Sequence, residues 1–286
     1  MNIARKIRNF GELVVFQHTL FALPFIFIAM IVAADGWFGW ALLGLGLIAA
    51  VCARNFAMGF NRLADRHYDA LNARTANRPS IDGRLSVKAI SVFVALNAIF
   101  FVIVCYFINP LAFALSAPFL IIIGSYSFVK RFSWIAHLVL GLSMGLAPIA
   151  GAVAALGEIP IWSLPLAIGV MLWGAGFDLL YSLQDREFDL KTGLCSIPSR
   201  FGVRKTLIIS RVLHILALLC WIFFCVLAEL GGFAWIGVFV SAAMLIAEHR
   251  IVANGMEEID RAFFTLNAWL SVVFFAFITL DFIWTI

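Results

Sequence analysis

Two groups of polar side chains at four-residue spacing are the residues best placed to do chemistry in this 286-residue chain. We call them the first ladder, which comprises Asn61, Asp65 and Asp69, and the second ladder, which comprises Asp185 and Asp189. Residues four apart lie on one face of a helix, one turn above another. Carboxylates are hard oxygen ligands that suit Mg²⁺, and Mg²⁺ in proteins is commonly bound together with phosphate groups. The spacing therefore indicates chemistry on a diphosphate.

Basic side chains are dense around both ladders, and they allow two interpretations. Acids and bases could pair with one another on a solvated helix face. Alternatively, the acids hold Mg²⁺ while the bases hold phosphate oxygens, as phosphate-bearing substrates commonly require. The basic residues concerned are Arg54, Arg62, Arg66, Arg74, Arg78, Arg84, Lys130, Arg131, Arg186, Lys191, Arg200 and Arg204.

The elements that must position these residues are membrane-spanning helices. The chain is 64% hydrophobic and only 13% charged, which leaves too little polar surface for a water-exposed exterior. A helix needs roughly 20 apolar residues to cross a bilayer. We therefore predict an all-α integral membrane protein with nine transmembrane helices, at residues 14–34, 38–60, 87–107, 111–128, 133–155, 161–182, 206–228, 233–249 and 264–284.

Charge sidedness predicts how these spans are oriented. Only two loops are long and polar, at about 61–86 and 183–205, and they carry the two ladders. With nine alternating spans, all 20 Lys and Arg fall on or near the side of the N-terminus, which the positive-inside rule makes cytoplasmic. The net charge of +4 is thus interpreted as a signature of topology and not as a nucleic-acid-binding surface. Both ladders are expected at the cytoplasmic ends of spans in the inner membrane, where a charge usually marks a functional site.

These motifs resemble those of the UbiA superfamily of intramembrane prenyltransferases. The hallmark of that family is an N-x-x-x-D-x-x-x-D ladder followed by a second D-x-x-x-D ladder, and the two ladders of this chain match it. The resemblance runs from about residue 18 to residue 267. Further segments that resemble the family are HTLFALP at 18–24, NARTANRP at 72–79, GLCSIPSRFG at 193–202 and RAFFTLN at 261–267.

The resemblance implies a single domain, residues 1–286, in which nine helices surround a central cavity that opens laterally to lipid. It implies that the residues of both ladders bind Mg²⁺ and, through it, a polyprenyl diphosphate. Lys130 matches a basic position after the fourth span that contacts the diphosphate, and Arg54 would point into the same cavity. Asp178 and Tyr181 fall where the family has residues that line the acceptor side.

The implied reaction is transfer of a polyprenyl group from its diphosphate to an aromatic acceptor. Loss of diphosphate leaves an allylic carbocation, which aromatic side chains stabilise and a dry cavity protects from water. An electron-rich ring then attacks and loses a proton, which Asp178 could accept. The expected acceptors are hydroxybenzoate-like acids such as 4-hydroxybenzoate, in ubiquinone or menaquinone synthesis. Arg54 and Arg131 are the candidates to bind the acceptor carboxylate.

Two alternatives stay open. The first ladder begins Asn61-Arg62, whereas many quinone-pathway members begin it Asn-Asp, so the acceptor could be haem, a glycerol phosphate or a chlorin. A membrane transporter also uses intramembrane carboxylates, although it places them near the bilayer midplane. The predicted position of the ladders at the ends of the spans favours an enzyme over a transporter.

Other residues are expected to serve packing or solvation. His137, His214 and His249 are scattered along the sequence and are expected to form no cluster. Gly141 and Gly145 lie four apart, which predicts close approach of two helices. The five cysteines show no metal-ligand spacing and are interpreted as small packing residues.

Overall fold

The structure is a computed structural model that describes residues 3–14, 19–254 and 265–284. Within those ranges every regular element is helical, as predicted. The helices are α1 (Ile3–Leu13), α2 (Thr19–Ala33), α3 (Trp40–Ala64), α4 (Arg66–Leu71), α5 (Val87–Ile108), α6 (Pro110–Val129), α7 (Ala136–Leu156), α8 (Ser163–Ser182), α9 (Arg186–Thr192), α10 (Ile197–Leu227), α11 (Gly232–Asn254) and α12 (Asn267–Trp284).

Eight helices in the described part of the chain are long and apolar enough to cross a membrane: α3, α5, α6, α7, α8, α10, α11 and α12. They correspond to eight of the nine predicted spans. The first predicted span, 14–34, includes α2, which has 15 described residues, and residues 15–18 of that span lie outside the described ranges. At 1.5 Å per residue α2 is about 22 Å long, which is less than the roughly 30 Å of a hydrocarbon core. The protein is an integral, multi-pass membrane protein.

The prediction of a long polar loop at 183–205 is wrong, because most of this segment is helical. A 3-10 turn at Leu183–Asp185 continues from α8, and α9 follows it. Helix α10 begins at Ile197 and not at 206, because Ser196 and Ser199 form a reciprocal capping box at its start. Gly202, at φ +78°, interrupts α10 one turn later in a conformation that favours glycine. The polar residues are therefore held in fixed helical turns.

The chain divides into two compact units, each with its own core. The first unit comprises residues 1–19 and 44–128, carries the first ladder, and has a core that includes Leu13, Leu85, Ile90 and Val94. Here Arg84 donates hydrogen bonds to Glu12, at the end of α1, and to Asp82. These two carboxylates raise the pKa of Arg84, so the link between α1 and the loop after α4 stays charged.

The second unit comprises residues 20–43 and 129–286 and carries the second ladder. Its core is rich in buried aromatic side chains from four helices, whose rings pack tilted, stacked or edge-on at centroid distances of 4.9 to 6.3 Å. They are Phe25, Trp173, Phe177, Trp221 and Phe274. This core fixes α8, on which several predicted site residues lie, against α2, α10 and α12.

Helices α7 and α8 pack against each other with almost no side chain between them. A Cβ atom added to Gly141 would collide with the backbone oxygen of Met171, and one added to Gly145 would lie 2.7 Å from the backbone oxygen of Ala167. The predicted close approach at these glycines is confirmed. Small residues at this spacing let two backbones meet, which is how membrane helices gain packing energy.

We expect Gly141→Ala to destabilise the second unit by about 3 kcal/mol, because backbone atoms cannot move aside as a flexible side chain would. Thermal unfolding in detergent measures the change. Gly44→Ala on α3 is the matched control, since a Cβ there would meet nothing within 4 Å. Equal unfolding temperatures for the two variants would contradict the close packing.

Candidate active site

The first ladder keeps helical register across a break between two helices. Helix α3 ends at Ala64 and α4 begins at Arg66, yet the backbone N–H of Asp65 still donates to the carbonyl of Asn61 at 2.8 Å. The N–H of Asp69 likewise donates to the carbonyl of Asp65 at 2.8 Å. The Asn61 amide also donates to Asp65 Oδ2 at 2.7 Å. The predicted stacking of these three residues therefore survives a change of helix.

Arg62, the residue that departs from the family pattern, is buried and tethers the start of this ladder. Its Nη1 donates to Asn61 Oδ1 at 3.1 Å, and its Nε donates to the carbonyl of Leu13 at 3.3 Å. The guanidinium thus joins the end of α1 to the last turn of α3. It orients the Asn61 amide so that the nitrogen faces Asp65 and Ser127. An aspartate at position 62 could not donate these bonds.

Asp69 ends the first ladder as a buried carboxylate with one satisfied oxygen. Arg78 Nη1 donates to its Oδ1 at 2.6 Å. Its Oδ2 is buried and accepts no hydrogen bond from the residues that the structure describes. The Thr75 hydroxyl donates to the Asp69 backbone oxygen at 2.8 Å, which folds the turn after α4 back onto the ladder. That turn is what brings Arg78 to the carboxylate.

Asp189 occupies the same position in the second ladder and is also buried beside a cation. Its side chain is fully buried on α9, and Lys130 Nζ lies 2.9 Å from its Oδ1. Its Oδ2 is also buried and has no hydrogen-bond partner within the described ranges. Asp185, four residues earlier, is half-buried at the end of the 3-10 turn that follows α8. The two final ladder acids thus each carry one paired and one unpaired oxygen.

The short linker between α9 and α10 contacts both members of the Lys130–Asp189 ion pair through the backbone. The N–H of Cys195 donates to the carbonyl of Lys130 at 2.7 Å. The N–H groups of Gly193 and Leu194 donate to the carbonyl of Asp189. Gly193, at φ +73°, adopts the left-handed conformation that ends α9 and makes this geometry possible.

These unpaired oxygens fit a bound cation. A buried carboxylate oxygen without a partner is unfavourable, and a divalent cation with oxygen preference would satisfy it. No three His, Cys, Asp or Glu side chains in the described part of the chain form a ready-made metal site. Asp69 and Asp189 therefore offer individual ligand atoms and not a complete coordination sphere.

Asp178 has a partner that the sequence did not indicate. On α8, its Oδ2 lies 2.6 Å from Nδ1 of His137, near the start of α7. His137 thus contacts a carboxylate and not one of the other two histidines. The expectation that the histidines form no cluster is wrong for His214 and His249, because His214 Nδ1 lies 3.0 Å from His249 Nε2. Both contacts join residues more than 30 positions apart, which no local spacing could reveal.

The remaining predicted site residues have varied surroundings. Arg54 lies within α3, and its Nε is buried without a hydrogen-bond partner among the described residues. Arg131 is exposed just after α6. Tyr181 is half-buried and packs against the core of the second unit. Of the segments that resemble the family, His18 and residues 261–264 lie outside the described residues.

Comparisons with known proteins show the family of this chain. Residues 22–284 match the model of the UbiA prenyltransferase family. A 4-hydroxybenzoate octaprenyltransferase from Saccharophagus degradans is 31% identical over 253 residues, which cover 87% of this chain and 83% of the relative.

Solved structures share the fold. An apo structure of a UbiA homolog from Aeropyrum pernix K1 superposes with a TM-score of 0.85 at 31% identity, covering 92% of this chain and 98% of that one. A UbiA homolog from Archaeoglobus fulgidus bound to GPP and Mg²⁺ has a TM-score of 0.71 at 21% identity, covering 95% and 99%. Taken with the two ladders, these matches establish that the chain belongs to the UbiA prenyltransferase family, as a membrane-embedded polyprenyltransferase.

Proposed function

We propose that this protein transfers a polyprenyl group from polyprenyl diphosphate to an aromatic acceptor such as 4-hydroxybenzoate, with Mg²⁺, in ubiquinone or menaquinone synthesis. The observation that carries the proposal is the unpaired, buried Oδ2 atom at the end of each ladder. The acceptor follows the name of the Saccharophagus degradans relative, and the donor class and metal follow the ligands of the Archaeoglobus fulgidus homolog. We further propose that residues 1–286 act as one catalytic domain in the inner membrane, with the active site facing the cytoplasm.

In this proposal the two ladders bind the diphosphate group of the donor through Mg²⁺. Asn61, Asp65, Asp69, Asp185 and Asp189 would supply oxygen ligands to Mg²⁺. When bound, the cation would offset the negative charge that builds on the departing diphosphate. Asn61 could serve through its Oδ1, which accepts one hydrogen bond from Arg62 in this structure and has a second lone pair for a cation.

Lys130 and Arg78 would bind diphosphate oxygens while each stays beside its carboxylate. Each is partly exposed, with 29% and 26% of its side chain accessible, while the carboxylate it pairs with is buried. A cation with one exposed side can meet an incoming anion without leaving its place. The two interpretations of the acids and bases are therefore compatible, because the ion pairs would hold the cations ready for the diphosphate.

The acceptor would bind through a second set of residues. Arg54 or Arg131 would hold the acceptor carboxylate, and Arg54 has a buried Nε that no described residue satisfies. Asp178 and Tyr181 lie one turn apart on α8 and would line the acceptor side. After the acceptor ring attacks the allylic carbon, Asp178 would accept the ring proton.

The placement of the ladders favours catalysis over transport. Asp65 lies immediately after α3, and Asp185 lies in the turn that follows α8, so each ladder stands at a helix end. The polyprenyl diphosphate combines a lipid-soluble prenyl chain with a water-soluble diphosphate. A site at the ends of membrane-spanning helices suits both parts.

Prenyl transfer in detergent or membranes tests the proposal. The mixture contains an allylic polyprenyl diphosphate, Mg²⁺ and 4-hydroxybenzoate, with parallel reactions that contain EDTA, Asp65→Ala or Asp185→Ala. We expect product only with the unaltered protein and Mg²⁺, and restoration of activity when Mg²⁺ is added after EDTA. Donor cleavage without product would point to haem, a glycerol phosphate or a chlorin as acceptor. The absence of any Mg²⁺-dependent donor cleavage would overturn the proposal and favour a transporter.

A further inference from the structure

A buried imidazole and a partly exposed carboxylate form a pair between α7 and α8. His137 is only 3% exposed, while the side chain of Asp178 is 19% exposed. The Nδ1 and Oδ2 atoms that join them are 2.6 Å apart. Asp178 is thus the member that a substrate can reach, and His137 lies behind it.

The short contact defines which atom of the ring carries hydrogen. A carboxylate oxygen can only accept, so Nδ1–H donates to Oδ2. In a neutral imidazole this leaves the lone pair on Nε2, which is buried and has no hydrogen-bond partner within the described residues. The ring therefore makes one directed bond, and that bond is to Asp178.

The register of the two helices sets this distance. His137 and Gly141 lie one turn apart on α7. His137 faces Asp178 and Gly141 faces Met171, and these two partners lie two turns apart on the antiparallel α8. Because Gly141 has no side chain, the two backbones approach closely there. Four residues earlier on α7, the imidazole of His137 and the carboxylate of Asp178 meet between the two helices. The pair is a product of helix packing and not of a mobile loop.

Aromatic substitution requires a base that accepts the proton from the attacked ring carbon. When the new carbon–carbon bond forms, the C–O bond to the diphosphate breaks and its electron pair leaves with the oxygen. The attacked ring carbon still bears its hydrogen, and aromaticity returns only when that C–H bond breaks and its electron pair stays in the ring. The proton must pass to a base, and water is scarce in a site that protects a carbocation.

We propose that His137 is a positioning residue for Asp178. Its Nδ1–H holds one oxygen of Asp178, so the carboxylate presents its reactive edge to the ring proton in one orientation. This inference rests on the proposed function, because it assumes an aromatic acceptor that must lose a ring proton.

The test compares three substitutions that differ in the donor they leave at the Nδ1 position. His137→Asn places an amide N–H near that position, His137→Gln keeps a polar side chain but puts its donor one bond farther away, and His137→Leu removes the donor. The readouts are kcat, the donor KM, and the isotope effect with 4-hydroxybenzoate deuterated on the ring.

We expect His137→Leu to lower kcat for product formation about 100-fold, the low end of the range for losing a positioned base, with an unchanged donor KM. Proton loss then becomes slow, so a primary isotope effect appears that the unaltered protein lacks. His137→Asn restores most of the rate, and His137→Gln behaves like His137→Leu, which keeps the test valid if the leucine variant does not fold.

Several results would overturn the inference. Equal rates for the asparagine and leucine variants, with no isotope effect in either, would make the pair a packing contact only. A raised donor KM would move His137 to the donor site. If the unaltered protein forms product but His137→Leu is fully active, the inference alone fails. If the unaltered protein forms no product from any aromatic acceptor, the proposed function fails and this inference falls with it.

Discussion

Asp189→Asn is expected to lower kcat/KM for prenyl transfer about 1,000-fold, the upper end of the effect seen when a charge-stabilising group is removed from an active site. The substitution keeps the size of the side chain and one oxygen but removes the negative charge from a fully buried position. A neutral amide oxygen is a poorer ligand for Mg²⁺ than a carboxylate oxygen. Steady-state transfer assays at saturating Mg²⁺ measure the loss.

Glu187→Gln is the matched control for this substitution. Glu187 is an exposed carboxylate on the same short helix, two residues away, and no predicted role falls on it. The charge change is the same, so a general electrostatic effect on α9 would appear in both variants. We expect the control to retain activity close to that of the unaltered protein.

A charge-neutral double variant separates function from simple ion pairing. Breaking a buried pair by removing one partner is destabilising, whereas replacing both partners can be neutral. If the Lys130–Asp189 pair were only structural, Lys130→Met combined with Asp189→Asn would recover both stability and activity. We expect recovery of thermal stability without activity, because both residues are proposed to act on the donor. Recovered activity would contradict that proposal.

Asp69→Asn is expected to raise the Mg²⁺ concentration needed for half-maximal activity at least about tenfold, in addition to lowering the maximal rate. Asp69 Oδ1 is held by Arg78, so Oδ2 is the atom available to a cation. The amide could turn its nitrogen toward that cation, and it would lose charge in either orientation. A Mg²⁺ titration of transfer activity measures the shift.

Asp82→Asn provides the comparison within the same unit. Asp82 is exposed and pairs with Arg84 in the loop after α4, away from the ladder register. We expect its Mg²⁺ titration to overlie that of the unaltered protein. An Asp69→Asn titration that also overlies it would remove Asp69 from the metal set.

The sequence predicts the membrane spans well because burial in lipid depends mainly on composition, which a linear pattern records. The eight long spans lie close to their predicted ranges. The ends are less well predicted where polar residues remain helical. Helix α10 begins at Ile197, nine residues before the predicted span, since a capping box at Ser196 satisfies the first N–H groups there. Hydropathy alone carries no information about such caps.

The sequence predicts the ladders because the spacing of their residues is local. It does not predict the partners of these residues, because the partners come from distant parts of the chain. The predicted helical register of the first ladder depends on residues four apart, and the structure contains it. The contacts of Asp189 with Lys130 and of Asp178 with His137 span 59 and 41 positions. Only the antiparallel packing of α7 on α8 brings His137 to Asp178. The roles of these residues in catalysis stay predictions.

The linker at residues 193–196 has a consequence for how this enzyme can vary. Its backbone binds Lys130 through Cys195 and binds Asp189 through Gly193 and Leu194, so it fixes the spacing between a cation in the turn after α6 and an anion on α9. The side chains of Leu194 and Cys195 can change, because their contacts are made by peptide groups, whereas Gly193 adopts a left-handed conformation and Ser196 caps α10. The length of the linker cannot change, since one added residue would put the ion pair out of register. Natural or engineered diversity in this stretch should therefore appear as substitution and not as insertion.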